Sequence, residues 1–163
     1  MSPFKKSSLT AKEKLRPISG FPELLPEERR VELDWIDQIR TIFESYGFTS
    51  IEPRIVEPID VLLKQGDTDK EIYTLGRLLD TPDSDREPTF GLHYDLTIPM
   101  ARYVAANMEK LDFPFKRYQI QKAWRGERPQ DGRFREFMQC DIDVVDTREV
   151  PLHFDVEIPA IMN

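Results

Sequence analysis

The sequence has a single cysteine, Cys140, and only two histidines, His93 and His153, among its 163 residues. One cysteine excludes an internal disulfide and any CxxC motif. The two histidines lie about sixty residues apart, which does not match the spacing of zinc ligands. We therefore predict no metal site built from protein ligands.

Long apolar runs are also missing. No stretch without a charged residue exceeds seven residues, whereas a transmembrane helix needs about 20 predominantly apolar residues. Residues 1–14 contain lysines but no apolar segment of the kind that a secretory signal requires. We expect a cytoplasmic protein whose residues 1–14 form a disordered leader.

Charge is abundant but unevenly placed. Charged residues make up 33% of the chain and the net charge is −7. The segment 116–136 nevertheless holds seven Lys and Arg residues against three acidic residues. A basic segment in an acidic protein indicates a local site for an anionic group, and a solvated face of ion pairs is the alternative.

Apolar periodicity predicts the main elements. A helix is expected from Pro26 to the glycine stop at Gly47, because apolar residues recur there at helical spacing. A strand is expected over 48–58, a short helix over 58–65, two short strands over 71–79 and 89–93 with a charged loop between them, and a helix capped by Asp95.

The most informative pattern lies between residues 115 and 145. Polar and apolar residues alternate in FKRYQIQKAWR and again in REFMQCDIDVV, which predicts two strands, and GERPQDGRF between them predicts an antiparallel hairpin with a long loop. The apolar face of the second strand should pack on a core. Its other face presents Phe137, Gln139, Asp141 and Asp143.

Such a hairpin has the groups that hold a nucleotide. Arginine binds phosphate oxygens in a bidentate manner and keeps its charge when partly buried. An aromatic ring can stack on a purine, and a carboxylate can accept a hydrogen bond from an amino group. The residues alone leave two alternatives open, a nucleotide site and an ordinary charged surface.

The segment FKRYQIQKAWRGERPQDGRFREFMQCDID resembles motif 2 of class II aminoacyl-tRNA synthetases, in the form of histidyl-tRNA synthetases. GLHYDLTIPMARYVAAN resembles the segment that lines the family's histidine pocket, and the helix before Gly47 with FTSIEPRIVEP resembles motif 1, the dimer interface. The resemblance implies an α+β fold with a mixed, mostly antiparallel sheet flanked by helices. Motif 1 would span about 27–58 and motif 2 about 115–145.

The resemblance also implies a role for individual residues. Arg125 would be catalytic and would bind both the ATP α-phosphate and the histidine carboxylate. ATP would further be held by Glu127, Arg133 and Phe137, with the Phe137 ring stacked on adenine. Histidine would be held by Asp95, Leu96, Thr97, Gln139 and Asp143.

The implied reaction is the activation of histidine by ATP, with Mg²⁺ accompanying the nucleotide, and transfer of the histidyl group to tRNA(His) by a homodimeric, cytoplasmic ligase. Residues resembling motif 3 and an anticodon-binding domain are not present in the 163 residues. We therefore interpret residues 15–163 as the N-terminal portion of a synthetase catalytic domain, and leave open whether they are active alone.

Two other functions remain open from the sequence. A synthetase-like regulatory subunit of ATP phosphoribosyltransferase would bind histidine without activating it. Such a subunit does not need the nucleotide-binding arginines that this chain retains. A synthetase-like tRNA-binding or protein-interaction module is the third candidate, in which Arg128 could contact the acceptor end of tRNA.

Overall fold

The structure is a computed structural model that describes residues 10, 15–63, 72–76 and 89–163. The predicted disordered leader lies outside the described residues except for Thr10. All of the predicted charged loop at 80–88 also lies outside them, as do residues 71 and 77–79 of the strand predicted before it. The elements in chain order are α1 (Pro26–Ser45), β1 (Thr49–Ser50), β2 (Val56–Pro58), α2 (Ile59–Leu62), β3 (Thr74–Leu75), β4 (Phe90–Leu92), α3 (Thr97–Asn107), a 3₁₀ turn (Met108–Lys110), β5 (Phe115–Trp124), β6 (Glu136–Val145) and α4 (Phe154–Met162).

Helix α1 begins and ends as its sequence predicts. Pro26 occupies the first helical position, and the Leu25 amide donates to the Glu28 carboxylate over 2.8 Å. Carboxylates in the first turn also interact favourably with the helix dipole. The helix is followed by Gly47 at φ +79°, a left-handed conformation that favours glycine.

The chain divides into two compact units. Unit 1 comprises Met1–Glu23, Ile55–Tyr94 and Ala123–Phe137, and unit 2 comprises Leu24–Arg54, Asp95–Lys122 and Met138–Asn163. Each unit is described separately below.

Unit 1 contains an antiparallel sheet in the order β2-β4-β3. Glu57 pairs with Gly91, and Gly91 also pairs with Thr74. A Cβ atom at Gly91 would lie 3.0 Å from the Tyr73 carbonyl oxygen, so glycine permits the close approach of the strands. Leu62 of α2 is completely buried, and the Tyr94 hydroxyl donates to its carbonyl over 3.4 Å.

Unit 2 contains the sheet formed by β1, β5 and β6, where β5 contributes residues up to Lys122 and β6 contributes residues from Met138. β1 pairs with β5 in parallel, with Thr49 opposite Arg117. The predicted single strand over 48–58 is therefore wrong: β1 and β2 join different sheets, and the segment between them, which includes Pro53, has no ladder pairing. Proline cannot donate to a ladder and is confined to strand edges and breaks.

Two apolar clusters form the core of unit 2. The first joins Phe43 and Phe48 to Tyr118 and Ile161, with Cys140, Ile142 and Val144 of β6 packed against it. This confirms that the even-numbered face of β6 packs on a core. The second cluster consists of Ile51, Met100, Val104 and Phe115.

These elements confirm the predicted α+β fold with small sheets and flanking helices. Within the described ranges, no helix combines the length and the apolar character needed to cross a membrane.

Candidate functional site

Unit 1 brings together the four residues predicted to bind ATP. Arg125, Glu127, Arg133 and Phe137 all line one open pocket of about 270 Å³, which Gly132 and Phe134 complete. We call it the arginine pocket. Its volume is slightly below the roughly 300–1,000 Å³ typical of small-molecule sites, so it has room for part of a nucleotide.

Arg125 is fixed from two sides inside unit 1. Its Nε atom donates to the Tyr94 carbonyl over 3.1 Å, and its guanidinium lies 5.0 Å from the centre of the Phe137 ring. Its amide donates to the Arg135 carbonyl over 2.8 Å. These contacts orient the side chain, while Nη1 and Nη2 are the donors that a bidentate phosphate contact uses.

The opposite charges of the pocket lie close to each other. A guanidinium nitrogen of Arg133 is 3.5 Å from a carboxylate oxygen of Glu127, and the Arg133 side chain is 69% exposed. An exposed pair of this kind contributes about 0–1 kcal/mol. A bound phosphate group could therefore replace Glu127 as the partner of the Arg133 guanidinium at little cost in free energy.

Apart from Arg125, the residues predicted to bind histidine lie in unit 2. Asp95, Leu96 and Thr97 are consecutive at the start of α3, where an Asp95 carboxylate oxygen accepts from the Ile98 amide over 3.3 Å. The N-cap position is occupied by Leu96, and Asp95, one residue earlier, bonds to the first turn of the helix through this contact. Leu96 is completely buried, whereas Thr97 is exposed.

Gln139 and Asp143 lie on the other face of β6 from the apolar core residues. Gln139 Oε1 is buried and accepts no hydrogen bond from the described residues, which leaves an acceptor available for a ligand. Asp143 is paired with the guanidinium of Arg117. Burial raises the pKa of Asp143, while the charge of Arg117 opposes that rise.

Arg117 itself is completely buried. Burial lowers its pKa, and the charges of Asp143 and Asp141 act in the opposite direction. A buried polar row continues along β5, where Gln119 donates to Gln121 over 2.7 Å and Gln121 donates to the Pro53 carbonyl over 3.0 Å.

The sequence motifs assign no site role to Arg117 or Arg135. Arg117, Gln119 and Gln121 occupy alternate positions of β5 and therefore lie on the same face of the strand. This alternation is the sequence pattern that indicates a common role for the three residues. Arg135 lay within the basic segment without any feature to separate it from its neighbours. Phe134 and Gly132, which line the arginine pocket, were also missed.

No group of three or more His, Cys, Asp or Glu side chains is arranged to hold a metal ion in residues 10, 15–63, 72–76 and 89–163.

Solved structures with the same fold define the class of protein. The chain superposes on a histidyl-tRNA synthetase from Nostoc sp. PCC 7120 with a TM-score of 0.78 and 44% identity, over 91% of this chain and 32% of that one. An ATP phosphoribosyltransferase regulatory subunit/histidyl-tRNA synthetase from Bacillus halodurans C shares the fold with a TM-score of 0.74 at 21% identity, over 91% of this chain and 36% of that one. The fold is that of the catalytic domain of class II aminoacyl-tRNA synthetases.

Sequence comparison then narrows the class. The family model for histidyl-tRNA synthetase matches residues 20–161, and the chain belongs to that family. It is 60% identical over 147 residues to a histidine–tRNA ligase of Thermobifida fusca, covering 90% of this chain and 34% of the relative. It is 55% identical over 148 residues to the histidine–tRNA ligase of Bifidobacterium longum NCC 2705, covering 89% of this chain and 32% of the relative. The chain thus spans about a third of the length of these curated relatives.

Proposed function

We propose that the chain forms the N-terminal part of the catalytic domain of a cytoplasmic histidine–tRNA ligase. The observation that carries the proposal is the arginine pocket, because the four residues that the family resemblance assigns to ATP line a single cavity. The proposed substrates are histidine, ATP with its Mg²⁺, and tRNA(His).

The proposed first step is an in-line displacement at phosphorus. A carboxylate oxygen of histidine forms a bond to the α-phosphorus of ATP, and the bond from that phosphorus to the bridging oxygen of pyrophosphate breaks. Negative charge on the α-phosphoryl oxygens is stabilised by Arg125, which the Tyr94 carbonyl and the Phe137 ring hold in place. Preorganised cations lower the barrier because they need no reorientation during the reaction.

Histidine recognition is proposed for the polar residues of unit 2. The carboxylates of Asp95 and Asp143 and the buried Oε1 of Gln139 are acceptors that suit the α-amino group and the imidazole N–H of histidine. The exposed Thr97 hydroxyl at the start of α3 could assist Asp95. In the second step, a ribose hydroxyl of tRNA(His) attacks the adenylate carbonyl and releases AMP.

Homodimer formation is proposed through α1. The helix exposes Val31, Leu33, Trp35 and Ile42, with Trp35 66% exposed, and Leu25 immediately before the helix is also exposed. Val31, Trp35 and Ile39 lie four residues apart along one face and line an apolar groove of about 370 Å³ within unit 2. Apolar helix surface of this extent is typical of a surface that a second protein covers.

Histidine-dependent ATP–pyrophosphate exchange tests the proposal. We expect the natural protein that carries this sequence to exchange pyrophosphate only when histidine is added, and Arg125→Ala to lower the rate by about 100-fold or more, since a removed oxyanion donor costs about 10²–10³. Arg125→Lys, which keeps the charge but not the fork, should recover only part of the rate.

Two results would overturn the proposal. Exchange that is equal with and without histidine would exclude histidine as the substrate. Histidine binding by calorimetry that is independent of ATP, without any exchange, would favour the regulatory-subunit alternative.

A further inference from the structure

A tight turn at the start of the described chain lies against the hairpin loop within unit 1. The Phe21 amide donates to the Ile18 carbonyl over 3.0 Å, which closes a turn from Ile18 to Phe21. Gly20 has φ +83°, as the third residue of a type II turn requires. We call residues 18–21 the leader turn.

The leader turn is bound through its carbonyl oxygens to the C-terminal end of the hairpin loop. The Gly20 carbonyl accepts from the Arg135 amide over 2.8 Å and from the Glu136 amide over 3.0 Å. The Arg135 guanidinium adds a third bond, because Nη1 donates to the Ser19 carbonyl over 3.3 Å. The Phe21 ring also lies edge-on to the Tyr73 ring, with centroids 5.9 Å apart.

The same arginine is bonded to two residues of the arginine pocket. Arg135 Nε donates to the Glu127 carbonyl over 3.0 Å, and the Arg135 carbonyl accepts from the Arg125 amide over 2.8 Å. Arg135 therefore connects the backbone on both sides of the pocket with the leader turn. It does not line the pocket itself.

We propose that Arg135 is a positioning residue for nucleotide binding, and that the leader turn acts on the arginine pocket through it. The loop between β5 and β6 carries Glu127 and Arg133, and a long loop without fixed points has many backbone conformations. Hydrogen bonds from Arg135 select the conformation in which these residues line one cavity. The part of the inference that names ATP rests on the proposed function.

Close packing makes the contact sensitive to one methyl group. A Cβ atom at Gly20 would lie 2.8 Å from Cγ and 3.0 Å from Cβ of Arg135. These atoms lie close to the backbone of Arg135, so they can move only if the backbone or the whole side chain moves with them. Gly20→Ala therefore displaces Arg135 without altering any residue that lines the pocket.

The test compares Arg135→Met, Arg135→Lys and Gly20→Ala in the natural protein, with the KM values for ATP and for histidine measured by pyrophosphate exchange. We expect the KM for ATP to rise by about tenfold in Arg135→Met and in Gly20→Ala, because small displacements of positioned groups cost about that much or more. The KM for histidine should rise less than the KM for ATP, since Arg125 is the one residue proposed for histidine in unit 1 and the others lie in unit 2. Arg135→Lys should restore little of the ATP affinity that Arg135→Met loses, because lysine lacks the planar fork that reaches two carbonyls.

Two control variants separate positioning from general damage. Gly47→Ala imposes the same strain at φ +79°, but a Cβ there meets nothing within 4 Å among the described residues, so the KM for ATP should not change. Arg16→Met removes an exposed positive charge two residues before the leader turn and should also leave the KM for ATP unchanged.

The double variant Gly20→Ala/Arg135→Ala provides an internal check. Arg135→Ala removes Cγ, the atom nearest to the added methyl group, together with the guanidinium that Gly20→Ala displaces, so the effects of the two single substitutions on the KM for ATP should be non-additive. Additive effects, or an unchanged KM for ATP in folded Arg135→Met and Gly20→Ala, would overturn the positioning role. If the wild type shows no histidine-dependent exchange, the proposed function fails, and the positioning role is judged by calorimetric ATP affinity of the same variants.

Discussion

The guanidinium of Arg117 is paired with the carboxylate of Asp143, and the two side chains differ sharply in exposure. Arg117 is completely buried, whereas the Asp143 side chain is 40% exposed. Burial lowers the pKa of Arg117 and raises the pKa of Asp143, while each charge opposes the shift of the other. Each charge therefore depends on its partner for compensation in unit 2.

Removal of one partner should expose this dependence. We expect Arg117→Met to lower the free energy of unfolding at pH 7 by about 2–3 kcal/mol, somewhat less than the roughly 3–5 kcal/mol for a fully buried broken pair, because water reaches Asp143. Without Arg117 the pKa of Asp143 should rise further. Urea denaturation measures the change.

The loss should depend on pH with a definite sign. In Arg117→Met the ionised form of Asp143 loses the charge that compensates it. Burial already raises the pKa of this carboxyl group in the folded protein. Protonation as the pH falls through that pKa removes the penalty, so the difference between wild type and Arg117→Met should shrink in acid. Arg40→Met, which removes an exposed helix pair with Asp37, serves as the control and should show no such pH dependence. An equal loss at all pH values would contradict the compensation.

Recognition of histidine should depend on the same carboxylate. We expect Asp143→Asn to raise the KM for histidine by about tenfold or more, because a charge-assisted hydrogen bond contributes about 1.5–3 kcal/mol. The KM for ATP should change much less, since the residues proposed for ATP line a pocket in unit 1. Pyrophosphate exchange with each substrate varied in turn measures both values. Equal changes in the two KM values would indicate general damage instead of a lost histidine contact.

Two phenylalanines of the arginine pocket offer a test of the predicted adenine contact. We expect Phe137→Leu to raise the KM for ATP by about fivefold to 100-fold, in line with the roughly 1–3 kcal/mol that stacking on one base contributes. Phe137→Tyr keeps the ring and should have little effect. Phe134 also lines the pocket but is 51% exposed, so Phe134→Leu should have the smaller effect. A larger effect at Phe134 would transfer the stacking role to that ring.

The sequence predicts well the elements whose pattern is local. Helix α1 follows from apolar spacing between Pro26 and Gly47, and the two strands of the hairpin follow from alternation. The division of the segment 48–58 between two sheets could not be predicted, because β1 pairs with a strand more than 60 residues away. No local pattern encodes such a partner.

The candidate site shows the same limit. Arg125, Glu127, Arg133 and Phe137 were identified through a motif, and the structure brings them to one pocket. Arg135 belongs to the same motif, but its importance depends on the carbonyls of the leader turn, more than 100 residues earlier in the chain. Hydrogen bonds to backbone carbonyls leave no signature in the residue types at which they end, so only the fold reveals them.

Dimer formation gives the last prediction. Trp35 is exposed on α1 and lines the apolar groove of unit 2, and buried tryptophans contribute about 2 kcal/mol or more to interfaces. We expect Trp35→Glu to weaken dimerisation of the natural protein at least 30-fold in sedimentation experiments at several concentrations. Its thermal stability as a monomer should change little, because the side chain packs poorly within its own chain. The control is Leu152→Glu, which should leave the dimer intact because this position is 80% exposed and lies outside the groove. A wild-type protein that is monomeric at all concentrations would refute the proposed interface.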